Sequence, residues 1–323
     1  MTKSFPAASL RVAFGLVLAL ICAAPSQAAD AQALVSPAWL SSHLHDANLV
    51  VLDIRSAIDG SKPEAFAQGH IPGSVHSDYD KAGWRVERGG VPFMVPTIPE
   101  LEKLIGDLGI DETTHVVVVP AGVNVLDFGA AARTYWTLKY TGVAHVSILD
   151  GGLAAWKAAG YALDKGAHAP SPTIFTATLN KSILALASDV EGIEHNGGAT
   201  LVDARPASFF LGKERAPGVA AYGHIPGAIN IDSAKFYDPA TNRLRPKAEL
   251  AALAGDVAGA AVTYCNTGHW AATDWFVLHE LLGRSNARLY AGSMIEWSSR
   301  PSRPVASART KWDDLKKKLG LGS

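Results

Sequence analysis

The sequence has almost no cysteine, no excess of charge and no apolar run long enough to cross a bilayer, and each shortage excludes something. With 29 basic and 30 acidic residues among 323, the formal net charge is -1. That leaves no electrostatic footprint for nucleic acid or an anionic membrane, so small molecules or proteins are the expected partners. The apolar run Val12 to Ala24 is shorter than the roughly 20 residues of a spanning helix. Lys3 and Arg11 precede it and the small-x-small triplet Ser26-Gln27-Ala28 follows. Residues 1–28 therefore read as a signal peptide, with a periplasmic or secreted chain that starts at Ala29 or Asp30. Cys22 is not read as a lipid-attachment site, because the bulky Ile21 stands before it where a small residue is needed. A composition of 48% hydrophobic and 18% charged residues excludes disorder and suffices for two ordinary domains.

Removal of Cys22 with the signal leaves Cys265 as the one cysteine. No internal disulfide can then form, and a lone thiol in an oxidising compartment is a liability that reactivity explains better than packing does. Its surroundings agree. An apolar strand-type run, Ala261 to Tyr264, leads straight into Cys265, Gly268 follows in the turn, and a helical pattern runs from Ala271 to Leu282. A strand, tight loop and helix in this order curl backbone N–H groups and a helix N-terminus around the sulfur, which favours the nucleophilic thiolate.

The chain also repeats itself. Leu52-Asp53-Ile54-Arg55 returns as Val202-Asp203-Ala204-Arg205, and Gly69-His70-Ile71-Pro72-Gly73 as Gly223-His224-Ile225-Pro226-Gly227. Asp150-Gly151-Gly152 to Trp156 returns as Ala291-Gly292-Ser293 to Trp297. Apolar strands alternate with helical patterns in both halves, which implies parallel sheets covered on both faces. Residues 164–172 have linker composition. The expected organisation is a domain over 30–165, a second over 166–305 and a tail over 306–323, with a cleft between the domains.

The paired Asp-x-Arg strands, the paired Gly-His-Ile-Pro-Gly loops, the two Gly-[Gly/Ser]-x-x-x-Trp elements and the single Cys-x-x-Gly loop together resemble a tandem-domain rhodanese sulfurtransferase, from about Leu34 to Pro304. The resemblance implies an α/β fold of two similar domains. It also implies a reaction in which the Cys265 thiolate takes a sulfane sulfur from a donor, holds it as a persulfide and passes it to cyanide or a thiol, without a cofactor or metal. Asn266, Thr267, Gly268, His269 and Trp270 correspond to the loop that wraps the nucleophile, with N–H groups that stabilise its anions. The equivalent loop of the first half, Val119 to Asn124, has no cysteine.

Two departures bear on the donor. Within the Cys265 loop only His269 can carry charge, and Phe209 stands where the family places a cation, with Lys213 and Arg215 as possible substitutes. Thiosulfate is the favoured donor and 3-mercaptopyruvate the alternative. Asp80 occupies a position where mercaptopyruvate-type members place an acid facing the nucleophile.

Asp203 and Arg205 are most simply structural, since Asp53 and Arg55 duplicate them in the half without cysteine. His70 and His224 each lack a second ligand at metal spacing, so no metal is expected. A cysteine phosphatase would need Cys-x5-Arg, and Ala271 occupies that last position. The remaining alternative is a persulfide carrier that docks on one protein acceptor, with Trp270 and Trp275 at its surface.

Overall fold

The computed structural model describes residues 1–2, 32–166, 169–255, 257 and 259–309. The signal segment, Cys22 and the tail beyond 309 lie outside the described residues. Among those described, no helix is long and apolar enough to cross a membrane.

The first half runs β1 (Leu34–Val35), α1 (Pro37–His43), β2 (Leu49–Asp53), α2 (Ala65–Gln68), β3 (Val75–His76), β4 (Val86–Arg88), β5 (Val91–Met94), α3 (Ile98–Asp107), β6 (His115–Val119), α4 (Val125–Thr141), β7 (His145–Leu149) and α5 (Gly152–Ala158). The second runs α6 (Ala187–Asn196), β8 (Thr200–Asp203), α7 (Ala207–Phe210), β9 (Ile229–Asn230), β10 (Tyr237–Asp238), β11 (Arg243–Leu244), α8 (Lys247–Ala254), β12 (Ala261–Tyr264), α9 (Trp270–Phe276), β13 (Ala287–Leu289) and α10 (Ser293–Trp297). The strand order β1-β7-β6-β2-β3 in one sheet matches β13-β12-β8-β9 in the other, and all these pairs are parallel. A single bridge from Leu184 to Leu289 takes the place of the missing edge strand. The repeat read from the motifs is therefore a repeat of topology.

Both central strands are buried on both faces: Val116 to Val119 in β6 and Ala261 to Tyr264 in β12 are buried throughout, as expected for strands covered by helices on either side. The hairpins β4–β5 and β10–β11 are not evident from the alternation of strands and helices. Helix α4 starts at Val125, ahead of the apolar stretch Ala130 to Trp136. Asn124 accepts the N–H groups of Leu126 and Asp127 at 2.9 and 3.0 Å and so supplies an N-cap. Helix α9 passes into a π-helical turn, Val277–Leu281.

Most of α4 is buried all round, because one face lies on the sheet of its own half and the other meets α9 of the second half. Aromatic edges make this seam: the ring of Phe276 lies 5.8 Å from Phe128 and 5.0 Å from Tyr135, both edge-on. Such pairs add about 0.5–1.5 kcal/mol each beyond their buried area. The two halves thus share one core, and the loops preceding α4 and α9 are brought to the seam.

Candidate active site

Cys265 lies at the end of β12 in the loop that leads to α9, and it is 1% exposed. Its carbonyl accepts Met294 N–H at 3.0 Å and the Asn266 carbonyl accepts Ile295 N–H at 2.9 Å. In the first half Pro120 and Ala121 accept Leu153 and Ala154 N–H at 2.9 and 3.0 Å. The two loops are therefore superposable by hydrogen-bond pattern, with Pro120 at the position of Cys265.

At that shared position the halves differ in one donor, and the surroundings differ to match. Proline has no N–H. Cys265 has one, and Ser293 Oγ accepts it at 3.0 Å while donating to the Tyr290 carbonyl at 2.9 Å. Ser293 adopts φ +51°, where the first half has Gly152 at φ +58°.

The second difference concerns the cradle of N–H groups. In the first half the Asp127 carboxylate folds back and accepts from Ala121 and Val123 at 2.8 and 3.1 Å, with Gly122 between them. Burial pushes its pKa up to about 7, against the pull of those N–H donors. Seven residues beyond Cys265, where Asp127 would recur, stands Ala272. Among the described residues no group accepts from the N–H groups of Asn266 to His269. One cradle is filled by the chain's own carboxyl group and the other is open beside a thiol.

The loop residues fall into distinct environments. Asn266 is buried and its Oδ1 accepts from Arg205 Nη1 at 3.3 Å. Thr267 and Trp270 are half-buried. Gly268 has φ +73°, and a Cβ there would collide with Arg133 Nη1 and the Ala291 carbonyl, so only glycine fits. His269 is buried against Gly129 of α4, and its Nδ1 is 3.0 Å from the Tyr79 hydroxyl. Burial, and next the Arg85 charge, push its pKa down to about 3, with a Leu126 backbone hydrogen bond opposing. His269 is thus neutral at pH 7 and does not supply the loop charge that the sequence admits.

The other sequence candidates lie further out. Arg205 is buried, paired with Asp203, and also bonds the Gly223 carbonyl at 2.7 Å. Burial disfavours its charge, but the bonds to Asp203 outweigh this and raise its pKa. Arg55 repeats the arrangement on Asp53 and the Gly69 carbonyl. Both arginines tie a strand end to the glycine-rich turn, and of these two Arg205 also reaches the cysteine loop. Asp80 takes the Ser56 hydroxyl at 2.9 Å, Ile58 N–H at 3.0 Å and Arg85 Nη2 at 3.1 Å. Arg215 is exposed, bonded to the Ala220 carbonyl at 3.1 Å, with its guanidinium over Tyr222. Lys213 is exposed as well, and Phe209 meets the Trp270 ring edge-on at 6.2 Å. Trp275 is buried, its indole N–H on the Ala287 carbonyl at 3.0 Å, so it contributes no surface.

His70 and His224 bond the Phe66 and Phe210 carbonyls at 2.9 and 2.7 Å and stack on those same phenylalanines. Among the described residues no group of three His, Cys, Asp or Glu side chains could hold a metal. Cavities of about 310 and 760 Å³ lie along the seam, and Cys265 lines neither.

Residues 36–159 and 186–300 each match the rhodanese-like domain. The chain is 31% identical over 280 residues to the 3-mercaptopyruvate sulfurtransferase of Escherichia coli (strain K12), covering 83% of this chain and 95% of the relative. It is 31% identical over 281 residues to a thiosulfate sulfurtransferase of Pseudomonas aeruginosa, covering 85% and 97%. The crystal structure of SseA, a 3-mercaptopyruvate sulfurtransferase from Escherichia coli, superposes with a TM-score of 0.69 at 28% identity, covering 81% of this chain and 98% of that one. With two such domains in tandem and one fold shared over nearly the whole of these relatives, the chain belongs to the rhodanese-like family.

Proposed function

We propose that the protein is a sulfurtransferase that moves a sulfane sulfur from thiosulfate, through a persulfide on Cys265, to cyanide or a thiol. The observation that carries this reading is the open cradle: among the described residues the N–H groups of Asn266 to His269, in the loop that follows Cys265, have no acceptor, whereas the cysteine-free loop is closed by Asp127. Donors fixed in advance stabilise anions without reorganisation. In the first step the Cys265 thiolate attacks the outer sulfur of thiosulfate; the Sγ–S bond forms, the S–S bond breaks and sulfite leaves with the electron pair. In the second, cyanide attacks the outer sulfur, thiocyanate leaves and the thiolate returns. Neither step moves a proton, and no cofactor enters. This suits a site beside which Tyr79 and His269 are both held neutral by burial. Transfer from 3-mercaptopyruvate would release an enolate that needs a proton. A carrier that docks on a protein acceptor is disfavoured by a cysteine that is only 1% exposed, with Trp275 buried.

The test is to incubate purified protein separately with thiosulfate, 3-mercaptopyruvate and glutathione persulfide, then weigh the intact chain. Thiosulfate is expected to add one sulfur that cyanide removes over many cycles, and Cys265→Ser to add none. Loading by 3-mercaptopyruvate with none by thiosulfate would overturn the donor, and turnover by Cys265→Ser would overturn the nucleophile. We also propose export directed by residues 1–28, from the charged start, short apolar run and small-residue site; N-terminal sequencing of protein from an outer compartment should begin at Ala29 or Asp30, and an intact Met1 there would refute it.

A further inference from the structure

The reaction proposed above places negative charge at Cys265 as thiolate and again as persulfide, and the donor is itself a dianion. Resting on that reading, we propose that Arg133, on α4 of the cysteine-free half, is the cation that holds the anionic donor and the Cys265 persulfide, so that the donor subsite is built across the seam between the halves. The substrate class is a thiosulfonate-type anion, whose oxygens match the planar fork of a guanidinium.

A census of the cations around the loop leads to Arg133. Arg205 is fully engaged by Asp203, the Gly223 carbonyl and Asn266. Arg85 is paired with Asp80 at 3.1 Å, and its guanidinium lies 4.2 Å from the Tyr79 ring centre. Lys213 and Arg215 are exposed, and His269 is neutral. Arg133 is 1% exposed and forms no ion pair among the described residues. Among the described residues its guanidinium makes one hydrogen bond, from Nη1 to the Gly268 carbonyl at 3.1 Å, and Nε and Nη2 find no acceptor.

A buried guanidinium with unpartnered N–H groups is costly unless an anion completes it. The anion that fits is supplied by the chemistry of the adjacent loop. Arg133 crowds Gly268 so closely that no side chain could stand there, which puts its charge beside Gly268 in the loop whose N–H groups are open. The titratable and charged groups that act on it are the Tyr79 hydroxyl, Arg85 and Cys265. Burial first, and Arg85 next among the opposing causes, lower its pKa to about 10, so it stays cationic at neutral pH. At the repeated position of the second half, thirteen residues beyond Cys265 as Arg133 is beyond Pro120, the residue is Leu278. The half whose cradle already holds Asp127 is matched by no cation there. Sequence alone hides this residue, because Arg133 sits inside the apolar helical stretch Ala130 to Trp136 and belongs to the half without the nucleophile.

The test uses the full chain with two substitutions. Arg133→Gln keeps a donor for the Gly268 carbonyl and removes the charge; Arg133→Lys keeps the charge. Alkylation of Cys265 by iodoacetamide is followed by intact mass as a function of pH, beside the Michaelis constant for thiosulfate. In Arg133→Gln the pH of half-maximal alkylation should rise by about one unit and the Michaelis constant by about tenfold or more, while Arg133→Lys stays within about threefold of wild type. Wild-type behaviour of Arg133→Gln overturns the proposal. So does an equal loss in both variants with native circular dichroism, since the bond to Gly268 would then be what matters. Should Arg133→Gln not fold, Arg133→Lys decides alone: retained values support the proposal and shifted values refute it. Alkylation needs no sulfur donor, so this outcome is independent of whether thiosulfate proves to be the substrate.

Discussion

Replacement of Ser293 separates what the active loop needs for stability from what it needs for chemistry. Ser293 sits at φ +51° and accepts the Cys265 N–H at 3.0 Å. A non-glycine residue in the left-handed region costs about 1–2 kcal/mol. Leaving the buried Cys265 N–H without a partner costs about 1–3 kcal/mol, so serine is tolerated there despite the strain. Ser293→Ala removes the acceptor and keeps the strain, and should destabilise by about 1–3 kcal/mol. Ser293→Gly loses the same acceptor and relieves the strain, less about 0.5–1 kcal/mol for glycine's unfolded-state freedom. Its stability should therefore fall between those of the alanine variant and wild type. Both variants should take sulfur from thiosulfate slowly, because the Cys265 N–H is no longer held by Ser293. Urea midpoints and the rate of persulfide formation by intact mass measure the two effects. Glycine loading sulfur at the wild-type rate, or alanine matching serine in stability, would refute the reasoning.

Two further outcomes follow from the buried titratable groups. The pKa of Asp127, pushed up to about 7 by burial, lies above its unfolded value of about 4; its contribution is complete below about pH 4 and is lost as pH rises through about 7. Asp127→Asn should flatten that part of the stability curve measured by urea midpoints across pH, and an unchanged slope would count against it. The pKa of His269, pushed down to about 3, lies below its unfolded value of about 6.5, so its contribution is present above that pH and is lost as pH falls towards 3. Loading from thiosulfate should accordingly show no inflection near pH 6.5 that His269→Gln removes, and such an inflection in a rate–pH profile would contradict the buried, neutral ring.

The sequence alone determined the duplicated α/β plan, the alternation of strands and helices, and the loop that carries Cys265. These signals are local: an apolar run, a turn glycine, a repeated Asp-x-Arg, each readable within about ten residues. It also placed Arg205 and Asp203 correctly as a pair, since their spacing brings them together at one strand end. Packing decided the rest, because burial and partners depend on segments far apart in the chain. His269 offers a charge in sequence and loses it only when α4 and Tyr79 enclose the ring. Phe209 suggests a missing cation, yet Arg133 reaches the cysteine loop from the other half, across a separation of 135 residues. Asp127 and Ser293 are unremarkable as letters. Only the fold shows that one fills the cradle of a loop without cysteine and the other accepts the N–H that Pro120 does not have.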